Sequence, residues 1–237
     1  MEKLIINISY NFFTDAKGGD PDSTSPKLRK YHKKLWSKPL SNNKKIELLE
    51  KDNTYLYHKS ELGEFFFGSD AITHSYKNQK RKQWLIKQIP DEVNELFDAG
   101  STIGAYTIFP NNRIDGKHTI NQARGINSLI DDRFDLTLEC IRRFYLGQIS
   151  PLYDTLVRYK YFFDLFDNFI GYIHFFLLED LIDENQKIRF YLPFDNFKTP
   201  PTFSNTDEYL LYKKRVMNFI EQRNKRIEDY VQYLITE

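Results

Sequence analysis

The sequence predicts an α+β protein, with a strand-rich N-terminal half packed against a mostly helical C-terminal half. Three observations carry that expectation. Short aromatic and β-branched runs crowd the region before about residue 110, and helical periodicities dominate after it, without the strand–helix alternation of a parallel sheet. Charge divides with them: residues 1–90 hold 17 Lys and Arg against 10 acids, and residues 91–237 hold 17 against 23, balances of +7 and −6 behind a net charge of +1. The chain also carries 20 Phe and 16 Tyr in 237 residues, enough buried aromatic area to offset folding entropy without cross-links.

The elements follow in order. Residues 3–8 read as a short, largely buried strand, and residues 15–24, with Gly18-Gly19-Asp20-Pro21, as a loop. Ser25-Pro26 has the form of an N-cap and a first-turn proline, opening a helix to about Trp36 on the stripe Leu28, Tyr31 and Leu35, which Lys38-Pro39 ends. Runs at 45–49, 54–58 and 64–67 suggest a strand and then a hairpin with Gly63 in its loop. Residues 90–97 form a short helix with acids in its first turn, and 102–109 another strand. Helices are expected at 119–131, 132–147, from Ser150-Pro151 onward, at 169–181 as a central buried segment, and at 207–236 as a closing helix; 187–192 reads as a return strand.

This length suits one α+β domain over 1–237, with residues 9–24 either an ordered loop or a mobile one. Cys140 stands alone, which rules out an internal disulfide and a multi-cysteine metal site and suggests a small buried hydrophobe. The N-terminus has no signal-peptide pattern, and the most apolar stretch, 169–178, is far short of the roughly 20 residues a bilayer requires. The expected setting is the cytoplasm, without a membrane.

Candidate chemistry concentrates between Pro110 and Arg143. A polar loop after a strand, Asn111-Asn112-Arg113-Ile114-Asp115-Gly116-Lys117-His118, offers Arg113 and Lys117 to an anion, although it lacks the glycine spacing of a P-loop, and its glycine also suits an ordinary turn. Asn121 and Arg124 follow. On the next predicted helix Asp135, Glu139 and Arg142 fall side by side along the border of the apolar stripe Phe134, Leu138, Ile141. Such a row fits a ligand site, with Asp135 and Glu139 as acid/base or metal-binding oxygens and Arg113, Lys117, Asn121, Arg124 and Arg142 as ligand-binding groups. It equally fits an internal ion-pair ladder. Magnesium suits those carboxylate oxygens but is not required by them. Two basic segments, 27–45 and 77–87, carry Tyr31, Trp36 and Trp84 among their lysines, a pattern shared by phosphate-binding surfaces and by solvated faces over core aromatics. These features point to a phosphate-, nucleotide- or nucleic-acid-directed protein, either an enzyme or a binder. The alternative is a non-catalytic module that docks on a protein partner.

Two short strings resemble known motifs. Arg113 and His118 stand at the Arg-x4-His spacing of helical ribonucleases of abortive-infection systems, but in a glycine-containing loop. Tyr55-Leu56-Tyr57-His58-Lys59-Ser60 resembles the nicotinamide-binding strand of ADP-ribosyltransferases, which implies a ribose contact for His58, though Lys59 replaces the usual glycine and Glu139 lies on a predicted helix. Longer strings, Asp20-Pro-Asp-Ser-Thr-Ser-Pro, Leu35-Trp-Ser-Lys-Pro-Leu, Thr119-Ile-Asn-Gln-Ala-Arg-Gly and Asp132-Arg-Phe-Asp-Leu-Thr-Leu-Glu-Cys-Ile-Arg-Arg, resemble a family of uncharacterised bacterial and prophage-borne proteins over about Asp20 to Ile227. That resemblance implies a bacterial or phage cytoplasmic setting and one contiguous domain, and assigns no catalytic residue.

Overall fold

In the computed structural model, residues 5–40, 44–51 and 55–236 are described. A short helix α1 (Pro21–Thr24) leads into α2 (Pro26–Trp36). The Ser25 side chain accepts from the Leu28 amide as the N-cap of α2, and Asp15 braces it by accepting from the Ser25 hydroxyl at 2.6 Å and the Lys27 amide at 2.9 Å. The 15–24 segment is therefore tied down, and its last four residues are helical. Residues 5–8 form no strand, and the start of that predicted strand lies outside the described residues.

Strands β1 (Leu49–Lys51), β2 (Tyr55–Ser60), β3 (Gly63–Ala71) and β4 (Tyr106–Pro110) form one antiparallel sheet in sequence order. The β2–β3 hairpin closes with Ser60 opposite Gly63, whose φ of 129° falls where a side chain would be strained. β1 begins four residues later than expected, because residues 45–48 leave the sheet after a single bridge from Lys45 to Pro39. β4 also starts late, since Ile103–Ala105 make a 3-10 turn.

Between β3 and β4 lie α3 (Gln83–Ile86) and α4 (Pro90–Ala99). After β4 come α5 (Ile120–Ile126), α6 (Phe134–Tyr145), α7 (Tyr153–Arg158), α8 (Lys160–Phe163), α9 (Phe169–Phe175) and α10 (Thr206–Thr236). Together they give the α+β architecture, sheet first and helices after. Asp167 and Leu177, both at positive φ, divide the apolar 150–181 region into short helices where longer ones were expected. The expected strand at 187–192 is reduced to a single bridge between Ile182 and Ile188.

The late start of β4 has a cause in α10. The fully buried Arg223 guanidinium donates to Gly104 O at 2.9 Å, Tyr106 O at 2.8 Å and Phe176 O at 2.9 Å, with Asn224 Oδ1 accepting from the Gly104 amide at 2.7 Å. Carbonyls that leave the sheet thus still find donors. A Cβ on Gly104 would meet Ile220 O and Asn224 Oδ1 at 2.7 Å, so only glycine fits beneath this helix. One cluster of buried side chains runs from Phe12 and Trp36 through the sheet to Phe162, Phe166 and Tyr172, and on to Val231. Among the described residues no helix is long and apolar enough to cross a membrane.

Candidate functional site: an acidic cleft at the end of the sheet

A cleft of about 540 Å³ opens at the end of β3. Residues 18–20 and Asp22 at the start of α1 form one wall, Asp70, Ala71 and residues 73–75 the floor, and the end of α4 with Phe97 and Gly100 the far rim; Asn121 and Asp132 complete it. Its polar lining is dominated by Asp20, Asp22, Asp70 and Asp132, with His74, Asn121 and Lys77.

Arg124 organises the inner wall. It is 0% exposed, lies between the Phe109 and Phe134 rings, and donates Nε to Thr137 Oγ1 at 2.8 Å and Nη2 to Asp132 O at 3.2 Å. Its Nη1 pairs with the buried Asp70 carboxylate, and Asp132 Oδ1 lies 3.6 Å from Nη2. Burial alone would lower the Arg124 pKa, but the Asp70 and Asp132 carboxylates outweigh it and keep the guanidinium charged. Asp131 and Asp132 both adopt left-handed backbone (φ 48° and 61°), a costly pair of conformations at the cleft edge.

Asp22 sits recessed on the opposite wall. Its Oδ1 accepts from the Ser69 hydroxyl at 2.9 Å. Enclosure by protein, with the charge of Asp20 beside it, pushes its carboxyl up to about 7, against the opposing effects of the Ser69 hydroxyl, the Ala71 amide and Arg124. His74 accepts at Nε2 from the Gln79 amide group at 2.6 Å, and burial lowers its pKa despite the nearby Asp132. Thr73, 8% exposed, lines the cleft with a hydroxyl that has no hydrogen-bond partner. A buried hydroxyl left unpaired is costly, and a ligand group is one way to satisfy it. Among the described residues no group of three or more His, Cys, Asp or Glu is placed to hold a metal ion.

The sequence-predicted positions divide between this cleft and other places. Asn121 lines it, and Arg124 stands directly behind its two carboxylates. Asp135 and Glu139, expected at a helix border, are buried, and each is closed by its own arginines. Asp135 takes Arg133 Nε at 3.1 Å and the Tyr191 amide at 2.9 Å. Glu139 takes Arg142 Nε at 2.8 Å and Arg143 Nε at 2.7 Å. These are two separate ion-pair groups within α6 and its N-cap, and neither carboxylate lines the cleft. Arg113 and Lys117 are exposed on the 111–119 loop, where Lys117 borders a separate shallow depression with His118 and Arg158. His58 is buried, with Nδ1 3.0 Å from Glu47 O and Nε2 2.8 Å from Ser60 Oγ, and pins β2 to the 45–48 segment. Cys140 is buried, its thiol pushed up to about 12 by burial.

Asp22, Asp70 and Asp132 are absent from the sequence-derived candidates. Asp22 and Asp132 do stand inside two of the family-like strings, which was the available signal. Asp70 gave none, because strand alternation from Phe65 and Phe67 puts it on the opposite, nominally exposed face.

No curated protein matches this chain, and no solved structure does. Residues 6–227 match the model of the family of unknown function DUF6994, and the chain belongs to that family.

Proposed function

We propose that this protein is an enzyme using the cleft for acid–base chemistry on a small molecule rich in hydroxyl or amine donors, with Asp22 moving the proton. The placement of Asp22 carries this proposal. Its carboxyl faces the cleft with a pKa of about 7, so near neutral pH it is present in both forms, as a general acid or base requires. Asp70 and Asp132, held by Arg124, provide fixed acceptors. Asn121 adds a donor and an acceptor, and the unpartnered Thr73 hydroxyl another contact. The volume falls within the usual range for small-molecule sites.

This narrows the expectation of a nucleotide-directed protein. A phosphate in the cleft would meet four aspartates against Lys77, whereas a sugar, a nucleoside or a compact amine would be matched by the same groups. Asp135, Glu139 and Arg142 then act through the packing of α6. The test is a thermal-shift screen of nucleosides, monosaccharides and amines, followed by turnover of any hit. Asp22→Asn should keep binding within several-fold and lose turnover by at least 100-fold. A hit that binds and turns over equally in wild type and variant would remove Asp22 from the chemistry.

A second reading rests on the exposed Lys117 and His118 and the half-buried Arg158 around the separate depression of about 620 Å³. They form a basic surface suited to an oligonucleotide backbone. Binding there should weaken steeply with salt and in Lys117→Ala. Salt-independent binding, or no binding at low salt, would exclude it.

A further inference from the structure

Behind Asp22, three side chains from two elements line up in a continuous hydrogen-bonded row. Trp36 Nε1 lies 3.0 Å from His32 Nδ1, His32 Nε2 lies 2.9 Å from Ser69 Oγ, and Ser69 Oγ lies 2.9 Å from Asp22 Oδ1. Trp36 and His32, one turn apart on α2, are fully buried.

The chemistry of the first member fixes the direction of all the others. An indole N–H can only donate, so His32 Nδ1 must present its lone pair. A neutral imidazole has one N–H, and it is therefore on Nε2, where it donates to Ser69 Oγ. The remaining hydroxyl proton of Ser69 is then free to point at Asp22. Reversal would need the single His32 proton on Nδ1, where it would meet the indole N–H. An imidazolium, which carries that proton as well, is opposed by burial, which pushes the group down to about 3 with Arg223 adding to the effect.

We propose that Trp36, His32 and Ser69 form a one-way relay that makes Asp22 Oδ1 a permanent acceptor and leaves Oδ2 as the oxygen that takes and releases the proton. These three are positioning residues, since none of them lines the cleft. The relay rests on the proposed acid–base role of Asp22 and specifies which oxygen performs it. Other groups act on the same carboxyl: Asp20 from its own segment, the Ala71 amide from β3, and Arg124 from α5. Asp70 and Tyr106 also lie within electrostatic reach. None of these supplies a directed hydroxyl, so Ser69 is the member whose loss is specific.

Two NMR measurements on the full-length, ligand-free protein test this. In the wild type, the His32 ring nitrogens should report a neutral Nε2–H tautomer throughout pH 5–8. An Nδ1–H tautomer or an imidazolium in that range overturns the relay. The carboxyl carbon of Asp22 should titrate near neutrality, and Ser69→Ala should move its midpoint upward by roughly one pH unit, the equivalent of one lost hydrogen bond. Ser69→Thr should restore it. Trp36→Phe leaves every contact of Asp22 in place but frees Nδ1, letting Ser69 turn its proton toward His32, so it should move the Asp22 midpoint the same way. An Asp22 midpoint unmoved by Ser69→Ala refutes the proposal. The two ideas can fail separately: a relay signature without any cleft ligand counts against the enzyme, and Asp22-dependent turnover without the signature counts against the relay.

Discussion

Replacing Asp22 by Asn should make the protein more stable above neutral pH while leaving its stability near pH 4 almost unchanged. The folded carboxyl holds its proton up to about 7 against an ordinary value of 3.8. Below the ordinary value both folded and unfolded chains are protonated there, and no energy difference arises. As pH rises from about 4 to 7 the unfolded chain ionises first, and the folded state loses stability progressively until both are ionised. At about 1.4 kcal/mol per pH unit, the full loss would be about 4 kcal/mol. Water entering from the cleft screens the carboxylate, and we take roughly half of that, about 2 kcal/mol. For a chain of this size that corresponds to a rise of roughly 4–8 °C in melting temperature at pH 8. Asn keeps the oxygen that accepts from Ser69, so the exchange tests the charge alone. Thermal denaturation of both proteins from pH 4 to 8 is the assay. A constant difference across that range, or a variant less stable at pH 8, would refute the argument that the cleft holds an energetically costly carboxylate. A site that gains stability when its polar group is neutralised fits a function that exacts that cost.

Three further outcomes follow from the buried charges and the helix contact. Arg124→Met should cost about 3–5 kcal/mol, because Asp70 would remain buried without its partner, and Asp70→Asn in the same chain should recover part of it; urea denaturation reads both. Glu139→Gln should cost about 1–3 kcal/mol through the Arg142 and Arg143 contacts while leaving ligand affinity at the cleft unchanged by calorimetry, and a large affinity loss would return Glu139 to the site. Gly104→Ala should destabilise by about 2 kcal/mol or more through overpacking against α10, measured by thermal melt, and a neutral result would show that α10 can shift.

The fold was legible where one local signal sufficed. Ser25-Pro26 marked the start of α2, and the polar break before Gly63 marked the hairpin, because capping and turn chemistry are written in adjacent residues. Residues 187–192 misled for the opposite reason: β-branched and aromatic composition suggested a strand, but among the described residues its strand pairing is the single bridge from Ile188 to Ile182. Burial of Asp135 and Glu139 exceeded the helix-border estimate because Arg133, Arg142 and Arg143 all turn inward to meet them, which a helical wheel cannot show. The cleft itself was least legible. Asp22 and Asp70 lie 48 residues apart, and they come together only because α1 rests on β3. Asn121 and Arg124 were legible because their polar helix directly precedes the helix of Asp135 and Glu139 and feeds the same region.

The cleft floor also depends on residues far along the chain. Tyr209 and Tyr212 of α10 donate to the carbonyls of Ser75 and His74, at 2.9 Å each, while Arg223 grips the start of β4. Contacts spanning well over a hundred residues are slow to close. The cleft should therefore be among the last features to form during refolding. Recovery of ligand binding at the cleft should lag behind recovery of helical signal, so that binding reports the completed fold and not its intermediates.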